Sequence, residues 1–143
     1  MPYRFLEDIA VADVAFEAEG KTREEMFIAA ADAMMNVMLS DLETLRMTET
    51  VAFSLQNRDI ELLLFDFLNE LIFYKDAHRL LLRVATVTIN LFDTQFTLSA
   101  KAAGERLDPA RHPLIVDVKA VTLYRFRVEE TSEGWLAEVI LDI

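Results

Sequence analysis

The chain is 143 residues long, the size of one domain around a single core, and 53% of it is hydrophobic, which excludes a disordered segment. With 25 acidic against 14 basic residues the formal net charge is −11, a balance that repels phosphate backbones, so direct nucleic-acid binding is not expected. Cysteine is absent, which excludes disulfides, thiolate metal sites and cysteine nucleophiles. A metal cation or a basic protein partner fits this charge, although acidity also keeps an apolar chain soluble.

The N-terminal stretch "MPYRFLEDIAVAD" meets charge early and lacks the apolar core of a signal peptide. "VADVAFEAE" then alternates, with Ala12, Val14, Phe16 and Ala18 on one face and Asp13, Ala15, Glu17 and Glu19 on the other. This pattern predicts a half-buried strand ended by Gly20, with Asp13 facing away from the apolar side. "KTREEMFIAAADAMMNVMLSD" opens with Thr22 and Glu25 at capping-box spacing and repeats Met26, Ala30, Ala33, Met34, Val37 and Met38 at helical intervals. Its methionines could form an adaptable binding face, but at this spacing ordinary core is the stronger reading.

"TETVAFSLQ" (48–56) reads as a second strand and "RDIELLLFDFLNELIFYKDAH" as a helix that is apolar around most of its circumference, hence central. Its most apolar part, Ile60 to Tyr74, is interrupted by Glu61, Asp66, Asn69 and Glu70. It also falls short of the ~20 apolar residues a bilayer needs, so no membrane partner is expected and the cytoplasm is the expected location. From Leu80 alternation returns: "LLLRVATVTIN" and "LFDTQFTLSAKAAGE" read as strands paired around Asn90. "RLDPARHP" reads as a loop, and "DVKAVTLYRFRVEE" and "GWLAEVILDI" as two last strands turning at "TSEG". The expected fold is α+β, one domain over residues 1–143, with two helices packed on a largely antiparallel sheet in the order β-α-β-α-β-β-β-β.

Standard catalytic constellations are missing. The chain has no phosphate-binding glycine loop, no nucleophile-elbow serine and no pair of histidines spaced for zinc. His78 ends a helix and His112 lies in "ARHP", where a solvated or capping role is the ordinary reading. Carboxylates remain, and ionised Asp and Glu oxygens are hard ligands suited to calcium, magnesium or manganese. Taken singly, Asp13 reads as an exposed strand residue and Asp142 as a frayed end.

"FLEDIAVADVAFEAEGKTREEMFIAAADAMMNVM" resembles the opening of the archease family, which carries a His-Thr-Ala-Asp signature, a strand, a glycine and a helix beginning Thr/Ser-x-Glu-Glu. The resemblance continues through "ELLLFDFLNELIF", "GERLDPARHP" and "DVKAVTLYRF" to the Asp-Ile that ends "VILDI", so it spans nearly the whole chain in order. It implies an accessory protein rather than an autonomous enzyme. Archeases are known as activators of the tRNA-splicing RNA ligase that uses GTP and a metal ion, promoting its guanylylated histidine intermediate and multiple turnover. An archaeal member has also been described as a chaperone for a tRNA methyltransferase.

On this resemblance the metal-binding acids fall on Asp13 and Asp142, with Ile143 supplying terminal oxygen for a divalent ion. Lys119 and His112 match family motifs and are candidate contacts to the RNA ligase partner or its nucleotide; a salt bridge on a strand face is an equal reading of Lys119. Two positions depart from the family pattern: Ala10 and Val11 stand where it has His-Thr, and Tyr124 where many members carry His. These replacements remove possible hydrogen-bond donors or proton carriers. The alternative function is a chaperone or binding module for a tRNA-modifying enzyme, with the metal structural or absent. An autonomous hydrolase lacks an evident nucleophile and a general base beyond the metal-ligand candidates.

Overall fold

Thr22 opens the first helix as the sequence requires: its Oγ1 accepts the Glu25 amide at 3.1 Å, while Glu25 Oε2 accepts the Lys21 amide at 2.8 Å. The structure is a computed structural model and describes residues 2–6 and 13–143; Ala10 and Val11 of the signature lie outside the described residues. Its elements are β1 (Tyr3–Leu6), β2 (Asp13–Gly20), α1 (Arg23–Met38), a 3-10 turn at Leu42–Thr44, β3 (Glu49–Asn57), α2 (Ile60–His78), β4 (Leu80–Phe92), β5 (Gln95–Arg106), β6 (Ala120–Thr131) and β7 (Gly134–Asp142). The α+β fold stands, with the strands divided between two antiparallel sheets ordered β1-β2-β7-β6 and β3-β5-β4.

Four boundaries differ from the sequence reading. Tyr3–Leu6 is an additional strand, paired with Ala15–Ala18 of β2. Helix α1 stops at Met38, where Asn36 Nδ2 donates to the carbonyls of Leu39 and Ser40 and satisfies the helix end. The β4–β5 hairpin turns at Asp93–Thr94, not at Asn90, with both turn residues at positive φ (51° and 63°) as a tight two-residue hairpin demands. The last loop runs on to Lys119, so β6 begins at Ala120 rather than Asp117.

Both helices lie between the sheets, α1 against β2 and β4, α2 against β3, β4 and β6. Met26, Met34, Met35 and Met38 are fully buried beside Phe16, Phe27, Phe67 and Leu71, so the methionines are core. Strands β4 and β5 approach closely at Gly104, where a Cβ would sit 1.8 Å from the Leu81 carbonyl oxygen. Among the described residues no helix is long and apolar enough to cross a membrane.

The loop between β5 and β6 is tied down at several points. The Leu107 amide donates to the Arg79 carbonyl at 2.7 Å and the Ile115 amide to the Met38 carbonyl at 2.9 Å. Lys75 of α2, only 5% exposed, donates to the Val118 carbonyl at 2.9 Å and pairs with Asp117 at 2.6 Å and Asp76 at 2.7 Å. At the end of α2, His78 is exposed in the last turn and its ring lies edge-on to Phe73.

Candidate functional site

Strands β2 and β7 are distant in sequence and adjacent in space. Their antiparallel register sets Asp13 directly opposite Asp142, then Ala15 opposite Ile140 and Glu17 opposite Glu138. Residues opposed in this way share a sheet face, with Cβ atoms ~4.5–5.5 Å apart. Val14, Phe16 and Ala18 pack toward the core, so Asp13, Ala15 and Glu17 occupy the outer face as the alternation predicts. Strand β6 extends each row, setting Ala120 beside Asp142, Thr122 beside Ile140 and Arg127 beside Glu138.

That face holds two acid–acid rows with opposite treatment. Glu17 and Glu138 would repel each other, but Arg4 lies 2.6 Å from Glu17, Arg127 lies 3.8 and 3.9 Å from the two carboxylates, and Arg125 lies 3.7 Å from Glu138. A hydrogen bond from Arg127 to Glu129 raises the guanidinium pKa further above its usual range. Asp13 and Asp142, both half-buried, have no such partner: among the described residues no Lys, Arg or His side chain pairs with either. Like charges directly opposed across strands are destabilising. One row therefore carries its own cations; the other, among the described residues, does not.

The fit to a divalent ion rests on this donor set: two hard carboxylates on neighbouring strands, without a counter-ion among the described residues. Among the described residues no cluster of three or more His, Cys, Asp or Glu could hold a metal, and the carboxylates of this face that lack a basic partner there are this pair. Thr122, in the next row, has a buried Oγ1 with no hydrogen-bond partner among the described residues, a further polar atom near the pair that sequence reasoning did not single out.

The remaining candidates separate. Lys119 is exposed, carries no ion pair among the described residues, and its amide donates to the Asp142 carbonyl at 2.8 Å, which places it at the edge of the acid pair. Ile143 follows Asp142 directly and packs partly buried against the core.

His112 requires correction. It is neither solvated nor placed to touch a partner, because its ring is 0% exposed. Nδ1 accepts the Asp108 amide at 3.0 Å and Nε2 lies 2.9 Å from Glu105 Oε1. Glu105 also accepts the Arg46 amide and Arg111, and these bonds, the Arg46 amide foremost, hold its carboxyl down at about 2 against the opposing effect of burial. The cluster pins the β5–β6 loop. Tyr124, at the departure from the family pattern, is 70% exposed on β6.

Comparison with known proteins identifies the family. The model described as "Archease protein family (MTH1598/TM1083)" matches residues 3–143. The protein archease of Methanosarcina barkeri is 35% identical over 142 residues, covering 99% of this chain and 95% of the relative. That of Pyrococcus abyssi is 33% identical, covering 92% and 93%. The solution structure of Methanobacterium thermoautotrophicum protein 1598 superposes with a TM-score of 0.86 at 31% identity, covering 99% of each chain. A full-length family match, relatives above 30% identity and a shared fold lead to one conclusion: the chain belongs to the archease family.

Proposed function

We propose that this chain is a metal-binding accessory protein that activates a GTP-dependent tRNA-splicing RNA ligase, promoting ligase guanylylation and turnover. The observation that carries the reading is the Asp13–Asp142 row, two opposed carboxylates with no basic partner among the described residues, on a face whose Glu17–Glu138 row has three arginines. Asp13 and Asp142, with an oxygen of Ile143, would hold a divalent ion. Magnesium-like ions are commonly held by one or two carboxylates together with water and substrate phosphates, which suits so small a protein donor set. Such an ion, when bound, neutralises charge on phosphate oxygens.

The chain's own residues position and orient. Strands β2 and β7 fix the two carboxylates, and Lys75 with the Asp142 carbonyl fixes the segment that ends in Lys119. The exposed Lys119 side chain, on the residue whose amide donates to the Asp142 carbonyl, would contact the partner or the nucleotide phosphates it binds. The net charge of −11 favours approach to a basic cleft.

The test is ligase guanylylation and multiple-turnover RNA joining with the purified cognate ligase, GTP and Mn²⁺. Wild-type chain is expected to stimulate both, and D13N and D142N to lose stimulation while remaining folded by circular dichroism. Full stimulation by either variant overturns the metal role. Suppression of partner aggregation that is indifferent to both acids would instead identify a chaperone.

A further inference from the structure

Two rows from the acid pair, β6 leaves its register. Thr122 is opposite Ile140 and Arg127 opposite Glu138, so Leu123, Tyr124, Arg125 and Phe126 stand against Val139 alone. Arg125 takes a left-handed backbone (φ 56°), a conformation that non-glycine residues rarely adopt. Phe126 turns inward and packs edge-on to Phe65 of α2, with ring centroids 5.9 Å apart, while Arg125 folds back toward Glu138. The base of the bulge is thus fixed, and its crest presents Leu123 (58% exposed) and Tyr124 (70% exposed) side by side.

We propose that this bulge is the docking anchor for a protein partner that offers an apolar pocket bordered by Lys and Arg side chains. The inference rests on the proposed function, because the partner meant is the same RNA ligase. Position supports it: bulges recur beside functional sites, where they re-aim side chains. Side-chain chemistry supports it too. Tyr is over-represented among the residues that dominate protein interfaces, and a pre-fixed loop loses little freedom on binding. Charge selects the partner's rim, since the bulge lies near Asp13 and Asp142, which have no basic partner among the described residues, on a chain of net charge −11.

Edge protection alone does not account for the crest. β6 is an edge strand, and a bulge there deters pairing with another sheet, but that task calls for charge or proline at the tip. Here the one charged residue, Arg125, is turned toward Glu138, and the most exposed side chains are a leucine and a tyrosine. A second exposed apolar crest, Leu91 and Phe92 on the β4–β5 hairpin, provides an internal control, because it belongs to the other sheet.

The experiment compares wild type, L123S/Y124S and F92S for binding to the purified cognate ligase by titration calorimetry, with Mn²⁺ binding to each chain measured separately. L123S/Y124S is expected to weaken the complex about tenfold or more with Mn²⁺ affinity unchanged, and F92S to stay within about twofold of wild type. Wild-type binding by L123S/Y124S overturns the docking assignment while leaving the metal reading intact. Equal weakening by F92S also overturns it, since any exposed apolar tip would then serve. If wild-type chain does not bind the ligase at all, this inference and the proposed function fall together.

Discussion

His112 and Glu105 form a buried pair, Nε2 to Oε1 at 2.9 Å, and the pair fixes the imidazole's proton. The Asp108 amide donates to Nδ1 at 3.0 Å, so Nδ1 is the acceptor and Nε2–H is the donor to the carboxylate. A loop bounded by two prolines is held to the molecule by this bond, by Arg111 and by the Arg46 amide.

Acid should loosen that loop. Glu105 titrates at about 2 in the folded chain against 4.5 as the ordinary value, so the unfolded state binds more protons between these limits and stability rises with pH there. The contribution is complete above about 4.5 and is lost as pH falls toward 2. Urea unfolding across this window should show a steeper loss for wild type than for Glu105→Gln, which has no charge to titrate. Parallel curves would contradict the assignment.

Removing one acid of the unpaired row should stabilise the metal-free chain. Asp13→Asn relieves a directly opposed like-charge pair, a gain of roughly 0.2–1 kcal/mol. The same variant should lose any rise in melting temperature that Mn²⁺ gives wild type. Thermal scans with EDTA and with Mn²⁺ separate the two effects.

Gly104→Ala should be among the more damaging single-methyl changes. The added Cβ meets the Leu81 carbonyl oxygen at 1.8 Å, and the two residues lie on paired strands. Strands β4 and β5 must part to admit it, at a cost of about 1–3 kcal/mol or more. Denaturant midpoints check the value, and an unchanged midpoint would refute the close approach.

Lys75→Met keeps the buried stem and deletes the ammonium that holds Asp117 and the Val118 carbonyl. The expected loss is ~1–3 kcal/mol, because the carbonyl is left without its donor. The Lys119 amide, bonded to the Asp142 carbonyl just beyond, should exchange its hydrogen faster than in wild type. Unaltered exchange at Lys119 would show that α2 does not set that segment.

Periodicity made both helices and the alternation of β2 and β3 legible, since apolar spacing is a local property of the chain. Tyr3–Leu6 was not: "YRFL" is short, contains Arg4, and becomes a strand only by pairing with β2. The opposition of Asp13 and Asp142 is a long-range register, which no spacing encodes; the family resemblance named the two acids, and the strand pairing places them face to face. His112 misled for a different reason. Proline-rich context suggested solvent, while the carboxylate that receives its ring lies at the end of the preceding strand. A visible sign of the bulge was the broken alternation of "VTLYRFRV", where Leu123 and Tyr124 adjoin and Phe126 is followed by Arg127.

Strand β7 comes last in chain order yet lies inside its sheet, between β2 and β6. During synthesis the early β1–β2 ribbon must wait, one edge open, until residues 134–142 emerge to close it. Pairings of such high contact order form slowly. The two aspartates meet only on that closing event, so an ion shared by them would reward the finished topology and leave partly assembled chains without it.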